Sequence, residues 1–219
     1  MRKSDGHQGK QVTIMDVAER LFAERGFSAV SLREIAREAG VAVSGLNYHF
    51  TDRIGLLSAI YARHTQPMNA RRRDLLSEAL RTPDRSDRLT AVLRAYLLPA
   101  FASSSDSGGG AQFTRMRAVL SAEGDPEARR IIADSFDDTT RAFIDAIAQC
   151  LPGAAREQIV WRSQFLLGAL YYTLINPERI DRLSDGHVSG ADHTAAIEAL
   201  VASTHASLMG LVTPQMAES

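Results

Sequence analysis

An all-α fold is what this sequence predicts: a three-helix head of helix-turn-helix shape, a linking helix, and a helical bundle. Three observations carry that expectation. Apolar residues recur at helical spacing along most of the chain, and no segment alternates convincingly as a half-buried strand would. The breaks between periodic segments fall at Gly and Pro, among them Gly26, Gly40, Pro83, Pro152-Gly153 and Pro177. Residues 31–50 read as two short helices joined by a tight turn, the shape that sets a helix in the major groove of DNA.

Residues 1–10 read as a disordered basic tail, 11–52 as the head and 53–219 as the helical body. In the first helix, Ile14, Val17, Ala18, Leu21 and Phe22 form an apolar stripe, and Gly26 is a natural stop. Ser31 and Glu34 form an S-x-x-E capping box, so a second helix begins just after Ser31. Leu32, Ile35, Ala36 and Ala39 make its inner face, with Ala36 small enough for a close helix crossing. Gly40 can adopt the left-handed conformation that turns the chain. Val41 and Leu46 then face inward from a third helix, and Ala42, Val43, Asn47 and Tyr48 face outward.

Asp52 can cap a linking helix to about Met68, and Arg71-Arg72-Arg73 reads as a solvated face beyond it. Thr82-Pro83-Asp84 is a break. A helix over about 86–102 carries Leu89, Val92, Leu93, Tyr96 and Leu97, and Pro99 should kink or end it. The Ser/Gly tract 103–110 reads as a flexible loop. Residues 112–123 form a short helix. Asp125-Pro126-Glu127 opens another, with Asp as cap and Pro in the first turn, running to about Leu151. Two more helices cover about 155–176 and 191–212, with a polar loop at 181–190 between them.

Residues 13–64 resemble the TetR family of transcriptional regulators. The matching pieces are Leu-Phe-Ala-Glu-Arg-Gly-Phe at 21–27, Ser-Leu-Arg-Glu-Ile-Ala at 31–36, Ala-Gly-Val at 39–41, and Tyr-His-Phe at 48–50 leading into Leu56-Leu57. Asn47 stands where the family usually has Tyr, with Tyr48 displaced by one. Asp52-Arg53-Ile54 replaces the frequent Ser-Lys-Glu. The resemblance implies a homodimer on double-stranded, near-palindromic DNA, most often as a repressor, released by a small-molecule effector held in the body. A regulator without an effector, or an activator, are the alternatives. Trp161-Arg-Ser-Gln-Phe-Leu-Leu-Gly-Ala169 also resembles the body of the PsrA-like subgroup, which implies a lipophilic, acyl-chain or acyl-CoA effector.

Charge and composition narrow the class. The net charge is −1, but residues 1–73 hold 12 Lys or Arg against 7 Asp or Glu, and residues 74–219 hold 13 against 19. A basic head on an acidic body suits phosphate at one end and argues against a nonspecific architectural DNA binder. The surplus is modest, so two heads are needed for useful affinity. One cysteine, Cys150, allows no internal disulfide and suits the cytoplasm. Neither a signal peptide nor a membrane-spanning run is apparent. The histidines lie in no metal or catalytic motif, and P-loop, Rossmann and nucleophile-elbow patterns are missing, so neither an enzyme nor a cofactor is expected. Asp185, His187, Asp192 and His193 read as a solvated loop rather than a metal site.

Candidate site residues follow. Ser31, Tyr48 and Arg53 are expected to grip phosphate, and His49 either to do so or to pack the short helix. Val43, Ser44 and Asn47 are the candidates for base contact, with Ala42 beside them. For the effector the candidates are Phe101, Phe113, Met116, Arg117, Phe136, Phe143, Trp161, Phe165 and Tyr172. Dimerisation is expected through Phe165, Leu166, Ala169 and Leu170 together with Ile197, Leu200, Val201, Thr204, Leu208 and Leu211.

Overall fold

A computed structural model describes residues 3–102 and 110–212. Ten helices and no strand occur among them: α1 (Lys3–Arg25), α2 (Leu32–Glu38), α3 (Val43–His49), α4 (Arg53–Ala79), α5 (Arg85–Phe101), α6 (Gly110–Glu123), α7 (Pro126–Cys150), α8 (Arg156–Ile175), α9 (Glu178–Leu183) and α10 (His193–Met209). No helix of the described residues is long and apolar enough to cross a membrane.

The helices form two compact units that do not follow chain order. The first combines residues up to 67 with 110–137, so α6 and the start of α7 belong with the head. The division expected at residue 53 therefore falls inside a helix, and α4 continues through Pro67. α1 also differs from expectation, beginning at Lys3 where a tail was anticipated over 1–10. No proline interrupts residues 3–25, so a helix anchored by buried Ile14, Ala18, Leu21 and Phe22 propagates toward the N-terminus. The expected loop at 103–109 lies outside the described residues.

Local chemistry explains the head. Ser31 is the N-cap of α2, its hydroxyl accepting from the Glu34 N–H at 3.2 Å. Gly40, at φ +65°, makes the turn into α3, a conformation that costs other residues about 1 kcal/mol or more. Fully buried Ile35 and Leu46, with Phe50 at 4 % exposure, lock α2 and α3 to the core. Burying one such side chain contributes roughly 1.5–3 kcal/mol. Beneath them Phe22 and Phe27 pack with ring centroids 5.3 Å apart.

α6 packs against α1. A ring cluster of Tyr61, Phe113 and Phe136 fills this unit, with Tyr61 and Phe113 centroids 5.0 Å apart. Beside it Arg63 bonds Asp16 at 2.6 Å and buried Glu19 at 2.7 Å, while His64 meets the same Glu19 carboxylate and lies on Phe113.

The second unit holds residues 68–102 and 138–212, with α10 packed against α5 and α8. Asp84 caps α5 by accepting from Ser86 and Asp87, and Pro99 sits buried inside that helix, which ends only at Phe101. Arg72 departs from the solvated face expected of the Arg run. It is 1 % exposed, lies 4.4 Å over the Tyr96 ring, and donates Nε to the Tyr96 carbonyl at 3.1 Å. Helical spacing turns only the middle arginine inward. Short α9, inside the region read as loop, is polar and less than two turns long, so it leaves no periodic signal.

Candidate nucleic-acid interface

α3 is a seven-residue helix that starts after Ala42, whose extended backbone makes no side-chain cap. Leu46 is fully buried and fixes the helix to α2, so the opposite face must project. On that face Ala42, Val43, Ser44, Asn47 and Tyr48 are all exposed, Val43 at 39 % and Tyr48 at 75 %. The structure thus brings these five together as one surface of polar, aromatic and small apolar groups. Asn47 offers paired donor and acceptor atoms, the chemistry that reads adenine N6 and N7. His49 is half-buried, with its ring edge-on to Tyr48 and tilted on Phe50, which favours the packing role over a phosphate grip.

Two expected phosphate contacts are engaged otherwise. Arg53 NH1 donates to the carbonyls of Phe27, Ser28 and Val30 at 3.0, 3.3 and 3.1 Å, and its guanidinium lies 4.2 Å over the Phe27 ring. It clamps the α1–α2 connection instead of reaching outward. Ser31 is exposed, but its hydroxyl is the α2 cap. Most head cations are likewise tied up: Arg20 to Glu24 and Glu38, Arg25 to Glu34, Arg63 to Asp16 and Glu19. The Arg25 bond, with the nearby guanidinium charges and the Ser31 N–H, holds the Glu34 carboxyl below its ordinary value despite some desolvation. Arg33, on α2, is exposed and has no ion pair among the described residues. Sequence reasoning passed over it. Its place two residues after the α2 cap was the available signal.

The nine effector candidates do not form one pocket. Phe113, Met116, Arg117 and Phe136 are buried in the first unit, with Arg117 4.1 Å over the Phe136 ring. Phe101 and Phe143 belong to the second unit, packed on His193 and Tyr96. Trp161, Phe165 and Tyr172 are surface residues of α8, exposed by 58, 60 and 51 %. Only Phe143 lines the apolar cavity that the second unit does contain. That cavity, of about 110 Å³, lies between α5, α7 and α8, with Val92, Leu93, Ile144, Ile147 and Leu167 among its walls. Thr140, Ser163 and Gln164 add polar but uncharged groups.

The expected dimer residues also divide. Leu166, Leu170, Ile197, Leu200, Val201, Thr204 and Leu208 are buried within the chain's own second unit. The outward apolar side of α8 is instead Trp161, Phe165 and Tyr172, with Trp161 and Phe165 centroids 5.8 Å apart. A shallow hollow beside Phe165 is floored by Leu166, Ala169, Ser203, Thr204 and Ser207. Asp192 caps α10, and His187 Nδ1 lies 2.7 Å from the Ser184 carbonyl, so the Asp/His loop is occupied with its own backbone.

An all-helical chain that presents a short second helix on a capped, glycine-turned pair is a helix-turn-helix protein. Residues 14–60 match the family model of bacterial regulatory proteins, tetR family, and residues 94–207 that of the tetracyclin repressor-like C-terminal domain. The chain belongs to the TetR family of transcriptional regulators. It is similar to the HTH-type transcriptional repressor KstR2 of Rhodococcus jostii, 29 % identical over 77 residues, 35 % of this chain and 38 % of that protein. It also resembles the HTH-type transcriptional regulator AcrR of Shigella flexneri, 48 % identical over 48 residues, 22 % of each chain. These matches span well under half of either curated relative. A TetR-family regulator structure from Bordetella parapertussis shares the fold at TM-score 0.62 and 21 % identity, covering 87 % of this chain and 93 % of that one.

Proposed function

We propose that this chain is a homodimeric repressor that binds near-palindromic double-stranded DNA through α3 and is released by a small apolar effector. The observation that carries the DNA reading is the single exposed face of Val43, Ser44, Asn47 and Tyr48, opposite buried Leu46. Val43 meets a thymine methyl, Ser44 and Asn47 contact base edges, and Tyr48 grips phosphate. Arg33 takes the phosphate role that Arg53 leaves vacant. Few head cations are unpaired, so one head binds weakly and two are required. Bacterial DNA as partner puts the work in the cytoplasm.

The dimer reading rests on Trp161, Phe165 and Tyr172, bulky apolar groups gathered on one side of α8 and exposed in the single chain. Small Ala199, Ala202, Ser203, Ala206 and Ser207 on α10 allow a second copy to approach closely. The effector reading rests on the cavity between α5, α7 and α8. None of its lining side chains is charged, so the buried part of the ligand is uncharged. An engineered cavity of about 150 Å³ holds benzene, so this one suits a small ring or the end of an alkyl or acyl chain. Binding there shifts the population of head spacings away from the one that fits DNA.

The test is selection of bound duplexes from a random library at near-physiological salt. A two-fold symmetric motif is expected. Recovery of unrelated sequences that bind equally would contradict the reading.

A further inference from the structure

The link from Arg25 to Ser31 decides where α2 and α3 sit on α1, and it is held from both sides. Arg53 binds its carbonyls, as described. Its N–H groups are bound by a residue 95 and 96 positions away in sequence. Glu123, the last residue of α6, accepts from the Phe27 N–H through Oε2 and from the Ser28 N–H through Oε1, both at 2.6 Å. Gly26, at φ +85°, bends the chain so that these successive N–H groups converge on one carboxylate. A Cβ at Gly26 would stand 3.2 Å from Glu123 Oε2, so the glycine also makes room for the contact. Burial alone would raise the Glu123 carboxyl, but the bonds from Ser28 and Phe27 outweigh it and hold it below the ordinary carboxylate value. It is therefore charged at neutral pH.

From this geometry we infer that Glu123 is a positioning residue for DNA binding. The end of α6 sets the seating of the α2–α3 pair without itself touching DNA. The inference rests on the DNA-binding reading above. It predicts an unusual sign. An acidic side chain near a DNA-binding head normally weakens binding by repulsion, so neutralising it should strengthen binding. Here Glu123→Gln should weaken it. Glutamine keeps the shape but offers one acceptor oxygen, and its amide group would point a donor at a backbone donor.

The experiment compares full-length wild type with Glu123→Gln and Glu123→Ala. The readouts are affinity for the selected duplex at several salt concentrations, and amide hydrogen exchange. Both variants should bind about tenfold more weakly, the loss expected for one charge-assisted bond to the backbone. The salt slope should not change, because no phosphate contact is lost. Exchange should accelerate at Phe27 and Ser28 ahead of the rest of the head. Equal or tighter binding by both variants, with faster exchange at those amides, would overturn the inference and leave the DNA reading intact. Unchanged exchange would show that the bonds do not form, and would overturn it too. Failure of wild type to select any duplex would sink both.

Discussion

Arg53→Ala separates two uses of one arginine. At the start of α4, a TetR-like sequence makes Arg53 a phosphate contact; in the structure its guanidinium faces inward. One nitrogen serves three carbonyls at 3.0–3.3 Å, and the plane lies 4.2 Å from the Phe27 ring centre. A hydrogen bond to a charged group contributes about 1.5–3 kcal/mol. Cation–π stacking at a partly exposed site adds about 0.5–1 kcal/mol. Sharing one nitrogen among three acceptors and leaving the side chain half-exposed favours the low end, so about 2–3 kcal/mol is expected. For a chain of this size that lowers the thermal midpoint by roughly 4–10 °C. Arg53→Lys should recover only part, because an ammonium is a point charge without the planar fork. Circular dichroism on heating and urea titration measure the loss. DNA titration across salt should give weaker binding with an unchanged slope. An unchanged midpoint, with a salt slope reduced by about 0.9, would refute the reasoning and restore Arg53 to the phosphates.

Asn47→Ala should cost roughly 1–3 kcal/mol on the preferred duplex and relax preference at one base position per half-site. Competition between duplexes varied at single positions reads this, and equal loss on every sequence would sink the assignment. Phe165→Asp should convert the dimer to monomer in sedimentation, since it buries a charge in the apolar patch of α8; an unchanged sedimentation coefficient would move the interface elsewhere. Leu167→Trp should fill the cavity between α5, α7 and α8 and abolish binding of benzene or hexan-1-ol, observed by methyl chemical shifts. Undiminished binding would place the ligand at another site.

The head was legible because its signals are local. Ser31, Gly40 and Leu46 act on neighbours within a few residues, so caps, turn and inward face follow from spacing alone. Arg53 and Arg72 were not legible. Their acceptors, the carbonyls of Phe27, Ser28, Val30 and Tyr96, lie 23–26 positions away and converge only after folding. The same holds for Glu123, which looks like an ordinary helix-terminal carboxylate until Gly26 turns its partners toward it. In the body, periodicity located the helices but not which face each one buries. Leu166 and Leu170 face inward while Phe165 and Tyr172 on the same helix face outward. Aromatic residues were expected to line the pocket, yet its walls are mainly the aliphatic side chains that a sequence offers as ordinary core.

The most direct test of α3 as the DNA-reading element is affinity cleavage. A DNA-cleaving chelate attached to Asn47→Cys should leave Cys150, 4 % exposed, unlabelled. With the selected duplex, cuts are expected in two clusters related by a dyad, about 34–36 Å or a multiple apart along the axis. Scattered cuts, or a single unsymmetrical cluster, would contradict a dimer reading DNA through α3.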